Sequence, residues 1–170
     1  MSVLAASRHL DRTLATLAAE YGSVEVVGEA HEVAPDEYDR LLERADAFDG
    51  CGGAGAWLRD EADRVLLVES DAGWREPGTT RLPDDDPIDA ARRAVREQTG
   101  LVADLTDVRH VHVRFHRDWT DRDPVPQPFV VFEGTASGTP ADGARWHDSR
   151  PEELLYERLA ELPLAEREKQ

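Results

Sequence analysis

The segment from Trp74 to Leu101, WREPGTTRLPDDDPIDAARRAVREQTGL, constrains the fold more than any other part of the chain. Its second half predicts a helix starting near Pro87. Proline suits a first helical turn, where its missing N–H needs no partner, and Asp86 before it is placed to cap the exposed amides. Gly100 ends that helix as a glycine C-cap. The first half is a turn-rich stretch around Pro77-Gly78 with an acidic run, Asp84-Asp85-Asp86. The whole reads as a loop, a helix and a loop. Residues three and four apart share a helix face, so positions 94, 97 and 98 present together. They are Ala94, Glu97 and Gln98, which leaves a single carboxylate on that face.

The surrounding elements alternate between helix and strand. Leu4, Leu10, Leu14 and Leu17 recur at helical spacing up to Gly22, and the valine-rich stretch from Val24 to Val33 reads as a strand. A second helix follows Pro35, with Tyr38, Leu41, Leu42 and Ala45 on one face and an end near Phe48. The glycine-rich loop from Gly50 to Gly55, which holds the lone Cys51, predicts a boundary. Ala56-Trp57-Leu58, a polar turn and Val65-Leu66-Leu67-Val68 read as a hairpin. Two strands come after the Pro87 helix, Val108 to Arg117 and Phe129 to Glu133, linked by the acidic, proline-bearing segment Asp118 to Pro128.

The loop–helix–loop resembles a Nudix box, which holds divalent metal for hydrolysis of nucleoside diphosphates linked to another moiety. The residues that carry the resemblance are Arg93, Val95, Glu97, Gly100 and Leu101, with Pro77-Gly78 standing where the family has its Pro-Gly-Gly turn. The departures are Thr79 for the box glycine, Asp85 for the first glutamate, Ala94 for the glutamate after the arginine and Gln98 for the second of the paired glutamates. Trp146 and the segment Pro151-Glu152-Glu153-Leu154 resemble the tryptophan and helix start that often close such a domain. The resemblance implies an α/β fold with a mixed β-sheet sandwiched between α-helices. It divides the chain into an N-terminal extension of helix, strand and helix over 1–52 and a Nudix domain over 53–170.

The implied activity is magnesium-dependent, or manganese-dependent, hydrolysis of a diphosphate bond in a nucleoside diphosphate derivative. The alternative is a Nudix domain that binds a nucleotide or related ligand without cleaving it. By resemblance, Glu97 is the leading metal ligand and catalytic carboxylate, and Arg93 orients the acids around it. Asp85, the side-chain carbonyl of Gln98 and the backbone carbonyl of Gly78 would complete the coordination. Each has a plainer reading: Glu97 as a solvated helix carboxylate, Gln98 as a surface amide, and the aspartate run as an acidic loop with a helix cap. A carboxylate replacing that of the missing glutamate is sought in the Asp118–Asp123 loop or at Glu133.

A second constellation lies outside the box. Along Arg109 to His116 the apolar residues fall on one strand face, and His110, His112, Arg114 and His116 on the other. That face is a candidate phosphate contact, or a transition-metal site, or an exposed sheet surface with acidic cross-strand partners. Trp74 and Trp119 are candidate base-stacking surfaces, or packing residues.

Charge bounds the partners. The chain carries 36 acidic and 20 basic residues, a net charge of −16, and its only lysine is Lys169. This balance resembles that of haloarchaeal cytoplasmic proteins and argues against coating nucleic acid. At about 1 M salt the Debye length is roughly 3 Å, so local charges decide binding and a small nucleotide derivative stays admissible as partner. The N-terminus has no apolar core of a signal peptide, and no apolar run approaches a membrane span. The expectation is a cytoplasmic chain with no membrane partner, for which a homodimer is an open arrangement.

Overall fold

The computed structural model describes residues 3–50, 52–71, 73–82 and 84–148. Cys51 and the Pro151-Glu152-Glu153-Leu154 segment lie outside the described residues. The chain begins with helix α1 (Leu4–Tyr21), strand β1 (Val26–Glu32) and helix α2 (Pro35–Phe48). Then come β2 (Gly53–Arg59), β3 (Val65–Ser70), β4 (Gly73–Arg75) and β5 (Gly78–Thr80). Helix α3 (Pro87–Thr99) is followed by β6 (Asp104–Arg117), β7 (Val125–Thr135) and β8 (Ala144–His147).

The strands form one mixed sheet in the order β1-β6-β7-β2-β3-β4, with β5 on β2 and β8 on β3. β1 runs parallel to β6 and β2 parallel to β7; the other pairs are antiparallel. The N-terminal segment thus contributes an edge strand to the common sheet. On one face, Leu17 of α1 and Ala90, Ala91 and Val95 of α3 pack against Ala54, Ala56, Leu58, Val111, Val113, Val130 and Phe132. The alanines on both sides let α3 lie close on β2. Burying a side chain such as Leu17 or Phe132 stabilises by roughly 1.5–3 kcal/mol. The opposite face holds Trp57, Val65, Leu67 and Val131, with Trp74 and Phe129 packed against them.

Three local readings need correction. β6 starts at Asp104 and β7 at Val125, each four residues earlier than the sequence pattern indicates. Pro126 and Pro128 obscured the start of β7, and they are tolerated because β2 joins β7 only from Phe129 onward. Before that point β7 has an open side, where proline costs little. Asp86 occupies the N-cap of α3 in extended conformation, but its side chain makes no capping hydrogen bond. The neighbouring Asp85 receives the loop amide of Leu82 instead, at 3.1 Å.

The N-terminal segment is fastened to the loop before α3. Arg81 Nη1 donates to the carbonyls of Phe48 at 2.7 Å and Gly50 at 3.2 Å. Within the segment itself, Arg12 Nη2 donates to the Asp49 carboxylate at 2.8 Å and ties α1 to the end of α2. Gly50, at φ 125, lies over His9, where a Cβ would stand 2.2 Å from that of the histidine. His9 is buried, and burial, then the charges of Arg81 and Arg12, lower its pKa to about 4, against a smaller opposing effect of Asp49. The unfolded chain therefore takes up this proton first as pH falls below the ordinary value near 6.5. Stability should drop between pH 6.5 and about 4 by up to about 3 kcal/mol from this residue. Urea unfolding across that range should show a shallower decline for His9→Gln than for the wild type. An identical slope would place the acid sensitivity in other groups.

Candidate functional site

Gly78 sits where three strands converge. β5 pairs with β2, matching Gly78 to Gly55 in register, and a Cβ on Gly78 would meet the Phe129 ring at 2.6 Å. Only glycine fits. The backbone of Gly78 is held by the side chain of Gln98, the penultimate residue of α3. Gln98 Nε2 donates to the Gly78 carbonyl at 2.7 Å, and the Gly78 N–H donates to Gln98 Oε1 at 3.2 Å. The opposite amide orientation would set donor against donor and acceptor against acceptor, so the two contacts fix it. Arg75 Nη2 adds a further donor to the same carbonyl at 3.3 Å.

On the next turn of α3, Arg93 Nη1 donates to Asp85 Oδ2 at 2.7 Å and Nη2 to the Thr80 carbonyl at 3.3 Å. Burial alone would raise the Asp85 carboxyl. The hydrogen bonds from Arg93 and the Leu82 N–H, with the guanidinium charge, outweigh that and hold its pKa below the ordinary value. Ala94 is 1% exposed, within the contact of α3 with the sheet. Glu97 is exposed. Sequence spacing groups 94, 97 and 98 on one face, but the packing divides them: one buried, one in solvent, one bonded to Gly78.

Beside this clasp opens a pocket of about 180 Å³, lined by Arg75, Glu76, Thr80, His110, His112, Arg114, Gln127 and Phe129 among others. Strand alternation carries His110, His112 and Arg114 to it from β6, while Val111 and Val113 enter the core on the other face. The face is not an open sheet surface, since His110, His112 and His116 are all buried. His112 Nε2 lies 3.2 Å from Glu29 Oε2 on β1, an acidic cross-strand partner. Arg75, Glu76, Gln127 and Phe129 were missed by sequence reasoning. Arg75 and Glu76 directly precede the Pro77-Gly78 turn, which is the signal for them; Gln127 lies between two prolines, which mask the strand that carries it.

The sequence-predicted residues Trp74 and Trp119 are not brought to the pocket. Trp74 packs against the core and meets the His147 ring edge-on at 4.6 Å between centroids; Trp119 is 73% exposed. Asp118 is buried and its pKa is lowered to about 2 by the Thr120 hydroxyl, then by Arg122, against burial. Arg122 in turn reaches Asp39 of α2 at 2.6 Å, and Glu133 pairs with Arg109 at 2.7 Å. These carboxylates are committed to structural partners.

Comparison with known protein families matches residues 51–170 to the NUDIX domain. The chain belongs to the Nudix domain family. Among solved structures, a NUDIX hydrolase from Nitrosomonas europaea superposes with a TM-score of 0.50 and 12% identity, over 65% of this chain and 66% of that one. A MutT protein from Methanosarcina mazei gives 0.45 and 21%, over 56% and 74%. At these identities the likeness concerns the fold alone. The chain spans just under two thirds of the Nitrosomonas structure. No curated protein matches it. The α/β Nudix fold expected from the sequence, a mixed sheet with flanking helices, is present.

Nudix hydrolases work with divalent metal, so the box must be tested for its fit to magnesium. Magnesium takes oxygen ligands in near-octahedral geometry, usually including one or two carboxylates. Here the Gly78 carbonyl and Gln98 Oε1 already accept hydrogen bonds within the clasp, and an amide N–H₂ points at the Gly78 oxygen. Asp85 is held by Arg93, and Ala94 offers no donor. Among the described residues no group of three or more His, Cys, Asp and Glu side chains converges on a metal position. The box as folded does not fit the ion.

Proposed function

We propose that this Nudix domain binds a small phosphorylated ligand, of the nucleoside diphosphate derivative class, without hydrolysing it through box-bound metal. The observation that carries this reading is the reciprocal Gln98–Gly78 hydrogen bond, which fills with a neutral amide the position of an acid that would bind the cation. A diphosphate is a poor electrophile until divalent metal neutralises its charge and activates a water. A box in which Gln98 and Gly78 are bonded to each other and Asp85 is held by Arg93 lacks the means. The ligand site is the adjoining pocket, where Arg75 and Arg114 supply fixed positive charge and the histidines supply ring N–H donors.

The second reading, magnesium- or manganese-dependent hydrolysis, rests on the exposure of Glu97 beside Gln98 on α3. It requires the clasp to open and release two oxygen ligands. One set of measurements separates the two. Nucleotide sugars, dinucleotides and nucleoside triphosphates are titrated by calorimetry in molar KCl, where a −16 chain no longer repels them. Binding in the presence of chelator, weakened at least tenfold by Arg114→Ala and by Arg75→Ala, is the expected result, with no turnover on adding magnesium or manganese. Turnover in the ordinary range of roughly 1–10³ s⁻¹, abolished by Glu97→Gln, would overturn it in favour of hydrolysis.

A further inference from the structure

Next to the pocket, on the far side of the pocket-lining Gln127, β1 and β6 bring two imidazoles together. His31 and His116 are matched across the parallel ladder, and their Nδ1 atoms lie 2.9 Å apart. His116 is buried, and its Nε2 lies 2.7 Å from Oε1 of Gln127 on β7. An Nε2–H donating to that amide oxygen fixes the tautomer and leaves the Nδ1 lone pair of His116 on the side of His31. Metal-binding histidines are held in the same way, by a hydrogen bond from the other ring nitrogen. Only one proton can occupy the space between the two Nδ1 atoms.

That space also suits an ion. Two nitrogens 2.9 Å apart subtend about 90° at a metal roughly 2.0–2.1 Å from each, the angle between neighbouring ligands in square-planar or octahedral geometry. Tetrahedral zinc would need a wider separation, on the order of 3.4 Å. His31 is exposed on the edge strand, so its ring can turn to share the ion and leave the remaining positions to water. We propose that His31 and His116 form a two-histidine site for a divalent late transition-metal ion, nickel or copper, with Gln127 as the residue that positions His116.

Magnesium is disfavoured there because it wants oxygen ligands. Burial, then the nearby His31 and Arg114, lower the pKa of His116 against the opposing hydrogen bond to Gln127. Among charged neighbours, Glu37 favours an added cation and Arg114 and the second imidazole oppose it. No third His, Cys, Asp or Glu joins the pair into a larger cluster among the described residues, so affinity should be modest. A bound ion would join β1, which precedes the stretch matched to the family, to β6 within it.

The test titrates the untagged full chain with nickel chloride in molar KCl at neutral pH, with magnesium chloride as comparison. The expected result is saturable nickel binding that raises the melting temperature, weakened at least tenfold in His31→Ala. Gln127→Ala keeps both ligands and should weaken binding about 10- to 100-fold. Electron paramagnetic resonance of the copper complex should show coupling to two imidazole nitrogens in the wild type and one in His31→Ala. Because His31 is exposed, the variant should keep its fold, checked by circular dichroism. Nickel affinity and nitrogen coupling that are the same in wild type and His31→Ala would overturn the site. Loss in His31→Ala with no effect of Gln127→Ala would overturn the positioning role.

Discussion

Gln98→Glu is expected to make the stability of this domain depend on magnesium. The substitution removes the Nε2 donor that satisfies the Gly78 carbonyl and sets a carboxylate oxygen against that oxygen. Only the longer bond from Arg75 at 3.3 Å then remains to that carbonyl, and an acceptor weakened and repelled in this way costs about 1–3 kcal/mol, or on the order of 3–10 °C in melting temperature for a chain of this size. Magnesium would turn the same repulsion into coordination, with the new carboxylate and the Gly78 carbonyl as oxygen donors and water at the other positions. At a hundredfold excess over its dissociation constant, an ion bound only to the folded state adds about 2.7 kcal/mol. Melting curves in chelator and in magnesium, at constant ionic strength, should diverge for Gln98→Glu and coincide for the wild type. A wild-type melting temperature that rises with magnesium as much as that of the variant would show that the clasp already yields to the ion.

Ala94→Glu should be the more damaging of the two changes that bring the box back to its family pattern. Ala94 is 1% exposed on the helix face that lies on the sheet, and small side chains surround the contact at Ala54, Ala56, Ala90 and Ala91. A glutamate there must displace α3 or bury its carboxylate. Overpacking costs typically about 1–3 kcal/mol, and desolvating an unpaired polar group about as much again. Roughly 3 kcal/mol or more of destabilisation is expected in chelator, read as a lowered urea midpoint. If the variant unfolds like the wild type, α3 has room to move away from the sheet, and the doubly restored protein, Ala94→Glu with Gln98→Glu, becomes a fair test for regained hydrolysis.

The local features of this fold were legible because they depend on neighbours in sequence. Pro87 and Gly100 bracket α3 through backbone preferences that operate within a turn, and Gly100 adopts φ 75 as a glycine C-cap does. Helical spacing placed Leu17 of α1 in the core but also promised Leu4, which is 51% exposed, and the alternation in β6 separated its valines from its histidines without showing that both faces are buried. The family followed from the same segment. The ends of β6 and β7 did not follow, because pairing partners far along the chain decide where a strand begins.

The chemistry of the site was less legible for a related reason. The sequence by itself determined which residues occupy the box: that Glu97 would keep its carboxylate, that Ala94 and Gln98 would not, and that an arginine would stand at Arg93. Only the tertiary structure decided what those residues do. Gln98 meets Gly78 across a separation of 20 positions, Arg93 engages Asp85, and β1 and β7 flank β6 in the sheet and supply Glu29, His31 and Gln127 to its histidines. A hydrogen bond between residues distant in sequence depends on the placement of both, and placement comes from the packing of α3 on the sheet, whose net effect no single residue encodes.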